Sequence, residues 1–364
     1  MKKYWLLVFA PCLILQPVTT WAVDPAGGAT SKGQGTAIVK GPVSLVSRTE
    51  IKSLDKQKIV AFKQQGVPSL GSLQYNKEDI HWLPTQASPV KLPHRLPTLI
   101  AANGRTVLQY GDSRHRIHPE RMNLFFVDES GVEKGRVVDR YGPQTDVAIA
   151  DDGYVAIAGQ LFKNPQQSEV ALYTATGEKR FQSQLVTGRR ASMATPATQG
   201  QRVAVFTTDT KNLLASHRLE LLDGTGKKLA EHKDLGILQK AIAVANGSMF
   251  FIQAKNRFAL VDANDGSLLW TRDKVLRLVS PFGAATDPQN KTLFLAAVEW
   301  DGKPKALYKW RIEVRDIATG KELASFQLPD SYPSSHERIF IQVTDNKIEL
   351  LAGNERVELD WSRP

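Results

Sequence analysis

Phe258–Trp270 reads FALVDANDGSLLW, an alternating apolar run, a tight Asn-Asp-Gly turn and a second extended run. Two short apolar runs joined through an Asp-Gly turn predict a hairpin, because the positive φ of such turns costs least at Gly and little at Asn or Asp. The same pattern returns with variation as LFFVDESGVEKGRVV at 124–138, VALYTATGEKRF at 170–181, LELLDGTGKKLA at 219–230 and IEVRDIATGKELASF at 312–326.

From residue 98 the order is regular. An apolar run ends in a polar turn, and a β-rich run follows. Then come a variable insert, the FALVDANDG-like strand with its turn, and a fourth short strand. The turn-ending residues 104, 153, 200, 247, 290 and 346 are spaced by 49, 47, 47, 43 and 56. Four strands at a period in the forties predict an all-β fold, a β-propeller of four-stranded antiparallel blades. A sandwich would not repeat a four-strand unit at this period, and no helical runs alternate with the strands as a βαβ fold requires. The last unit offers only three strands, so a strand from Thr36–Val46 is expected to supply the fourth and close the ring without a free edge. Six blades are clear, and residues 48–97 form either a degenerate further blade, giving seven, or an accessory arm. Within that segment a helix over Leu54–Gln65 competes with strands at Lys58–Phe62, Ser72–Tyr75 and Ile80–Leu83, while four prolines mark 84–97 as a loop or crossing.

The stretch Ala259-Leu260-Val261-Asp262-Ala263 through Asp265-Gly266-Ser267-Leu268-Leu269-Trp270 resembles the repeat of the pyrroloquinoline-quinone-enzyme-like propellers. That superfamily includes quinoprotein dehydrogenases and the propeller lipoprotein of outer-membrane β-barrel assembly. The resemblance is to a structural repeat, and it implies that Trp270 packs between blades. A repeat of this kind does not carry function with it. A quinoprotein would be expected to show a calcium site and often adjacent cysteines, neither of which can be assigned here, so no cofactor is expected.

The N-terminus changes the picture of where the protein works. Met1-Lys2-Lys3, an apolar run from Tyr4 to about Val18 and Thr20-Trp21-Ala22 read as a removable export signal over 1–22. The apolar run, broken by Pro11 and Pro17, is short for a bilayer span. Residues 23–35 are small, polar and Gly-rich, a flexible leader; the closing strand with the degenerate blade or arm is assigned to 36–97, and the regular blades to 98–364. The only cysteine, Cys12, lies inside the signal, so the mature chain has no disulfide and depends on its core. Removing the signal leaves 45 basic against 37 acidic residues, a net charge of +8, which favours anionic partners.

No catalytic motif is present: GxSxG, HExxH, Walker A and the dinucleotide fingerprint are all missing. Asp262–Gly266 resembles a calcium loop, but Gly266 falls one position early for an EF-hand. His115 and His118, with Glu120, could hold zinc, yet Arg114, Arg116 and Arg121 crowd them with positive charge. Neither catalytic nor metal-ligating residues are therefore assigned.

Strand direction gives a sharper signal. In an antiparallel blade the loops between second and third strands and the crossings between blades leave from one face. The long inserts all belong to that face, at Gly111–Met122, Leu161–Ser168, Asp209–Arg218 and Glu299–Arg311. In repeat proteins such inserts often mark the binding face. The strongest candidate interleaves Trp300, Tyr308 and Trp310 with Lys303, Lys305, Lys309 and Arg311; Arg114, Arg116, Arg189 and Arg190 add to the same basic face. The competing reading is that the aromatics cover a neighbouring blade and the lysines are only solvated. These features predict a periplasmic or secreted, non-catalytic binding or assembly module of a bacterial envelope. Its partner would be an envelope protein or another anionic surface, such as a lipid head group or acidic glycan. Export disfavours nucleic acid, and no transmembrane segment is expected after signal removal. The alternative is a propeller enzyme (lyase, lactonase or oxidoreductase) with its site at the central channel.

Overall fold

The computed structural model describes residues 38–40 and 43–362 apart from 51–56, 65–66, 77–78, 85–87, 113–120, 186–187, 212–215, 274–277, 301–307, 329–338, 345 and 353–354. The signal and leader assigned to residues 1–35 lie outside the described residues. What is described is a ring of antiparallel sheets, and the chain is a β-propeller.

The six sheets resolve into seven four-stranded blades, because one 17-residue strand, Glu133–Ile149, serves two of them. Blade 1 takes Gln57–Gln64, Val67–Tyr75, Ile80–Leu83 and Val90–Lys91. Blade 2 takes Thr98–Ile100, Thr106–Gly111, Met122–Asp128 and the front of the long strand. Blade 3 uses the rest of it, then Val155–Leu161, Ser168–Tyr173 and Lys179–Gln184. Register breaks between Val137 and Tyr141, next to Asp139 at φ 54°, so the strand changes blades there without ending. Blade 4 comprises Arg189–Pro196, Arg202–Asp209, Arg218–Asp223 and Lys228–His232. Blade 5 comprises Leu238–Val244, Met249–Ala254, Arg257–Asp262 and Leu268–Asp273. Blade 6 comprises Leu278–Thr286, Thr292–Trp300, Tyr308–Asp316 and Glu322–Gln327.

Blade 7 has three strands from the C-terminus, Ile339–Val343, Lys347–Ala352 and Glu355–Trp361. Its fourth is Val43–Glu50, paired antiparallel with Glu355–Trp361 from Val43↔Trp361 to Glu50↔Glu355. The ring is thus closed by an N-terminal strand, placed later in the chain than the 36–46 expected from sequence. The earlier run, Ile38–Lys40, instead adds a fifth strand to blade 6 by pairing with Glu322–Gln327. Gly41-Pro42 separates the two runs in sequence, and a proline has no N–H to give a ladder. The helix alternative at 54–65 is not found: Gln57–Gln64 is a strand.

Blades 2 to 6 pack both of their faces, which explains why their middle strands read as nearly continuous apolar runs. In Arg257–Asp262, Phe258 and Leu260 join Leu293, Leu295 and Ile317 of blade 6, while Ala259 and Val261 join Ala204, Phe206 and Leu221 of blade 4. One tetrapeptide therefore holds two interfaces. Burying an aromatic or branched side chain contributes roughly 1.5–3 kcal/mol, so the repeated FALV-like run is the main cohesive element of the ring. Trp270 is buried between blades 5 and 6, and its Nε1 donates to the Ile317 carbonyl at 2.6 Å. Trp361 meets Phe294 edge-on at 5.2 Å, locking blade 7 to blade 6.

In blades 2, 4, 5 and 6 the Asp at the end of the third strand caps its own turn. Asp128 Oδ1 accepts from the N–H groups of Ser130 and Val132 and from the Ser130 hydroxyl. Asp223 Oδ1 does the same for Thr225 and Lys227. This is an Asx turn, and it gives the recurrent Asp a structural purpose.

Candidate functional site

Two regions can receive another molecule: the face that carries the long loops and blade crossings, and the central channel. On the loop face the Thr292–Trp300 and Tyr308–Asp316 strands of blade 6 are in register, pairing Trp300 with Tyr308, Glu299 with Lys309 and Ala297 with Arg311. Lys303 and Lys305 lie outside the described residues, and so do Arg114, His115, Arg116 and His118.

The structure divides the described members of that hairpin. Trp310 is only 3% exposed and packs among Phe294, Phe326 and Trp361, so it belongs to the blade 6–7 core. Arg311 is held inward by Glu313 and Glu322, each at 3.2 Å. Glu313 is fully buried and is gripped again by Arg315 at 2.7 Å. Arg311 therefore balances an internal carboxylate. Lys309 is half-buried on the loop-face end of its strand.

The second basic group, at the entry of blade 4, is more telling. Arg189 donates through Nη2 to the Thr207 hydroxyl at 2.6 Å and to the Ser216 carbonyl at 3.2 Å. Burial, and then the neighbouring Arg218, push its pKa down; Arg218 is itself paired with Glu231 at 2.7 Å. Arg190 is half-buried, its Nε is shielded from solvent without an acceptor, and burial pushes its pKa down. A guanidinium stays charged under such conditions, so Arg190 holds a positive charge at a corner that offers its Nε no carboxylate.

The channel is a cavity of about 640 Å³ lined by the first strands of all seven blades. Its walls mix polar and apolar side chains, with Lys58 from blade 1, Lys240 from blade 5 and Gln342 from blade 7 among the polar ones. Lys58 and Gln342 do not stand out in sequence. One strand's alternation does not say which of its faces turns to the ring axis. Nearby, Asp146 in the first strand of blade 3 accepts from the Ala194 N–H of blade 4 at 3.3 Å. Burial raises the Asp146 pKa to about 6. Burial first, and then the Asp146 charge, raise the Tyr110 phenol. Among the described residues no three His, Cys, Asp or Glu side chains converge as a metal site, and no helix is long and apolar enough to cross a membrane.

The fold and this pair of surfaces define a propeller with an elaborated loop face and an open channel. No protein-family model matches the chain, and no curated protein matches its sequence. Among solved structures it is similar to a chain of Kuenenia stuttgartiensis hydrazine synthase, with 12% identity and a TM-score of 0.46 over 71% of this chain and 74% of that one. A likeness at that level carries no argument about function.

Proposed function

We propose that this chain is an exported propeller of the bacterial envelope that binds an anionic partner through its loop-and-crossing face. Its repeat is of the pyrroloquinoline-quinone-enzyme type, used here as a scaffold. The observation that carries the reading is the entry of blade 4, where Arg189 stands beside Arg218 and spends its donors on the neutral Thr207 hydroxyl and Ser216 carbonyl, and where Arg190, the next residue, is a half-buried guanidinium whose Nε has no acceptor. A carboxylate or phosphate on a partner would meet these guanidinium groups through charge-assisted hydrogen bonds to the nitrogens that solvent reaches. Lys309, at the loop-face end of its strand, adds to the positive charge of that face. The N-terminal signal pattern supports a periplasmic or secreted location, and the partner is then an envelope protein or another anionic envelope surface.

The test is retention of purified protein on envelope fractions at low and moderate salt. It compares the wild type with Lys303→Glu/Lys305→Glu/Lys309→Glu and with Arg190→Gln. Arg311 is left intact because reversing it would set two carboxylates against the buried Glu313. Salt-sensitive retention that falls at least tenfold in both variants is the expected result. Unchanged retention in both would remove the basic face from the account.

A further inference from the structure

Blade 6 carries one strand more than its neighbours. Among the described strands the other blades end at four, but the outer strand of blade 6, Glu322–Gln327, is extended by Ile38–Lys40. Ring closure does not require this addition, since Val43–Glu50 completes blade 7 by itself. The added run pairs through only three residues, a contact small enough to open without the rest of the fold.

The direction of the backbone groups shows what the added strand engages. The Leu328 N–H donates inward to the Trp310 carbonyl at 2.9 Å, and Phe326 and Ala324 follow it at the two-residue repeat of an antiparallel ladder. Ser325 and Gln327 therefore turn their N–H and C=O groups outward. Ile38 stands opposite Gln327 and Lys40 opposite Ser325, so the N-terminal run covers both. The acceptor edge is short, because its register breaks at Leu323.

An uncovered outer strand can pair with another chain, and charged side chains, lysine above all, are a common guard against this. The outer strands of the other six blades each carry a basic residue: Lys91, Arg136, Arg180, Lys228, Arg272 and Arg48 in blades 1, 2, 3, 4, 5 and 7. Glu322–Gln327 has none, and its middle reads Leu-Ala-Ser-Phe. Its two sides also state what a strand must bring. Phe326 and Ala324 face the blade 6–7 core with Ile312 and Val314, whereas Ser325 lies on the other side with its cross-strand neighbour Glu313. Directly opposed residues of an antiparallel pair share a side, so an incoming residue opposite Phe326 extends an apolar surface.

We propose that the outer edge of blade 6 is an acceptor for an extended strand of another polypeptide, with Ile38–Lys40 as its resident occupant. The partner segment runs antiparallel to Glu322–Gln327. It sets a β-branched residue opposite Phe326, the place Val39 takes in the chain's own register, and has no proline opposite Ser325 or Gln327. Main-chain hydrogen bonds hold such a strand, and its alternate side chains select it. This surface is the rim of blade 6 rather than the entry of blade 4, so the strand acceptor and the anionic-partner reading can fail independently.

A fluorescein-labelled peptide, Thr-Ala-Ile-Val-Lys-Thr, tests it by anisotropy against the full chain. Ile38→Pro/Lys40→Pro removes both N–H donors of the resident run and should bind one peptide per chain. The wild type should bind at least tenfold more weakly, because a tethered competitor acts at an effective concentration of about millimolar. Lys40→Pro alone should fall between them. Adding Gln327→Pro to the double variant should cost at least tenfold, since it removes an outward N–H while the inner ladder stays intact. A peptide with proline in place of both Ile and Lys should bind none of these proteins. The urea midpoint of Ile38→Pro/Lys40→Pro should match that of the wild type, because Val43–Glu50 still closes the ring. No saturable binding to the double variant, equal affinity for the wild type, or equal binding of the proline peptide would each overturn the proposal. So would a collapsed urea midpoint in the double variant, which would make the resident run part of the fold.

Discussion

Closure of the ring by an N-terminal strand can be tested with one covalent bond. Thr49 and Arg356 are directly paired across the seam of blade 7, and both are exposed. Directly opposed residues of an antiparallel pair have Cα atoms about 4.5–5.5 Å apart, inside the range a disulfide needs. Thr49→Cys/Arg356→Cys, made in a Cys12→Ser background, should therefore link the two ends of the chain on mild oxidation. The bond would close a loop of roughly 300 residues, for which the chain-entropy relation gives about 5–6 kcal/mol as an upper value; engineered bridges commonly reach about 2–4 kcal/mol. Non-reducing electrophoresis should show the faster cyclic species, and urea unfolding a higher midpoint that reductant abolishes. Thr49→Cys/Asp360→Cys is the control. Asp360 lies four residues beyond Arg356, about 13 Å along the strand, and should not link. Free, titratable thiols in the folded Thr49→Cys/Arg356→Cys protein would refute the closure.

Three further outcomes follow from particular contacts. Asp146→Asn should stabilise the fold at pH 8 and leave it unchanged near pH 4. The folded pKa of about 6 exceeds the unfolded value, so wild-type stability falls as pH rises from about 4 to 6. For a half-buried side chain the gain is about 1–3 kcal/mol, measured by urea melts at the two pH values. Gly320→Ala should cost about 2 kcal/mol or more, since φ is +67° and a Cβ would stand 2.5 Å from the Trp270 ring. Arg315→Met should cost about 3–5 kcal/mol by leaving the buried Glu313 short of a partner, whereas Arg315→Met/Glu313→Gln should recover part of the loss. Chemical denaturation of both decides whether that pair is coupled.

The parts of this architecture that sequence displays are those encoded by a repeated local rule. The FALVDANDG pattern shows the third strand, its Asx turn and its fourth strand, because one short segment carries two inter-blade contacts and a turn at once. Blade 1 shows poorly. Its third and fourth strands are short, and its buried contacts come from scattered residues such as Phe62 and Trp82, 5.3 Å apart edge to face. The 17-residue strand hides the boundary between blades 2 and 3, since a bend at Asp139 replaces the usual loop. At the candidate site, composition draws attention to Trp310 and Arg311, yet alternation along a strand sends such side chains inward as readily as outward. Lys58, Lys240 and Gln342 come from three separate blades, and only the closed ring brings them to one cavity.

Directional binding is the centre of the functional account, and site-specific photocrosslinking tests it most directly. A photoreactive residue would replace Lys309 or Lys211 on the loop-and-crossing face, and Asp265 or Thr225 in the turns of the opposite face. Each protein would be irradiated with envelope extract at low and moderate salt. The account predicts discrete, salt-sensitive adducts from positions 309 and 211 and none from 265 and 225. Adducts confined to 265 and 225 would contradict it and move the binding surface to the turn face.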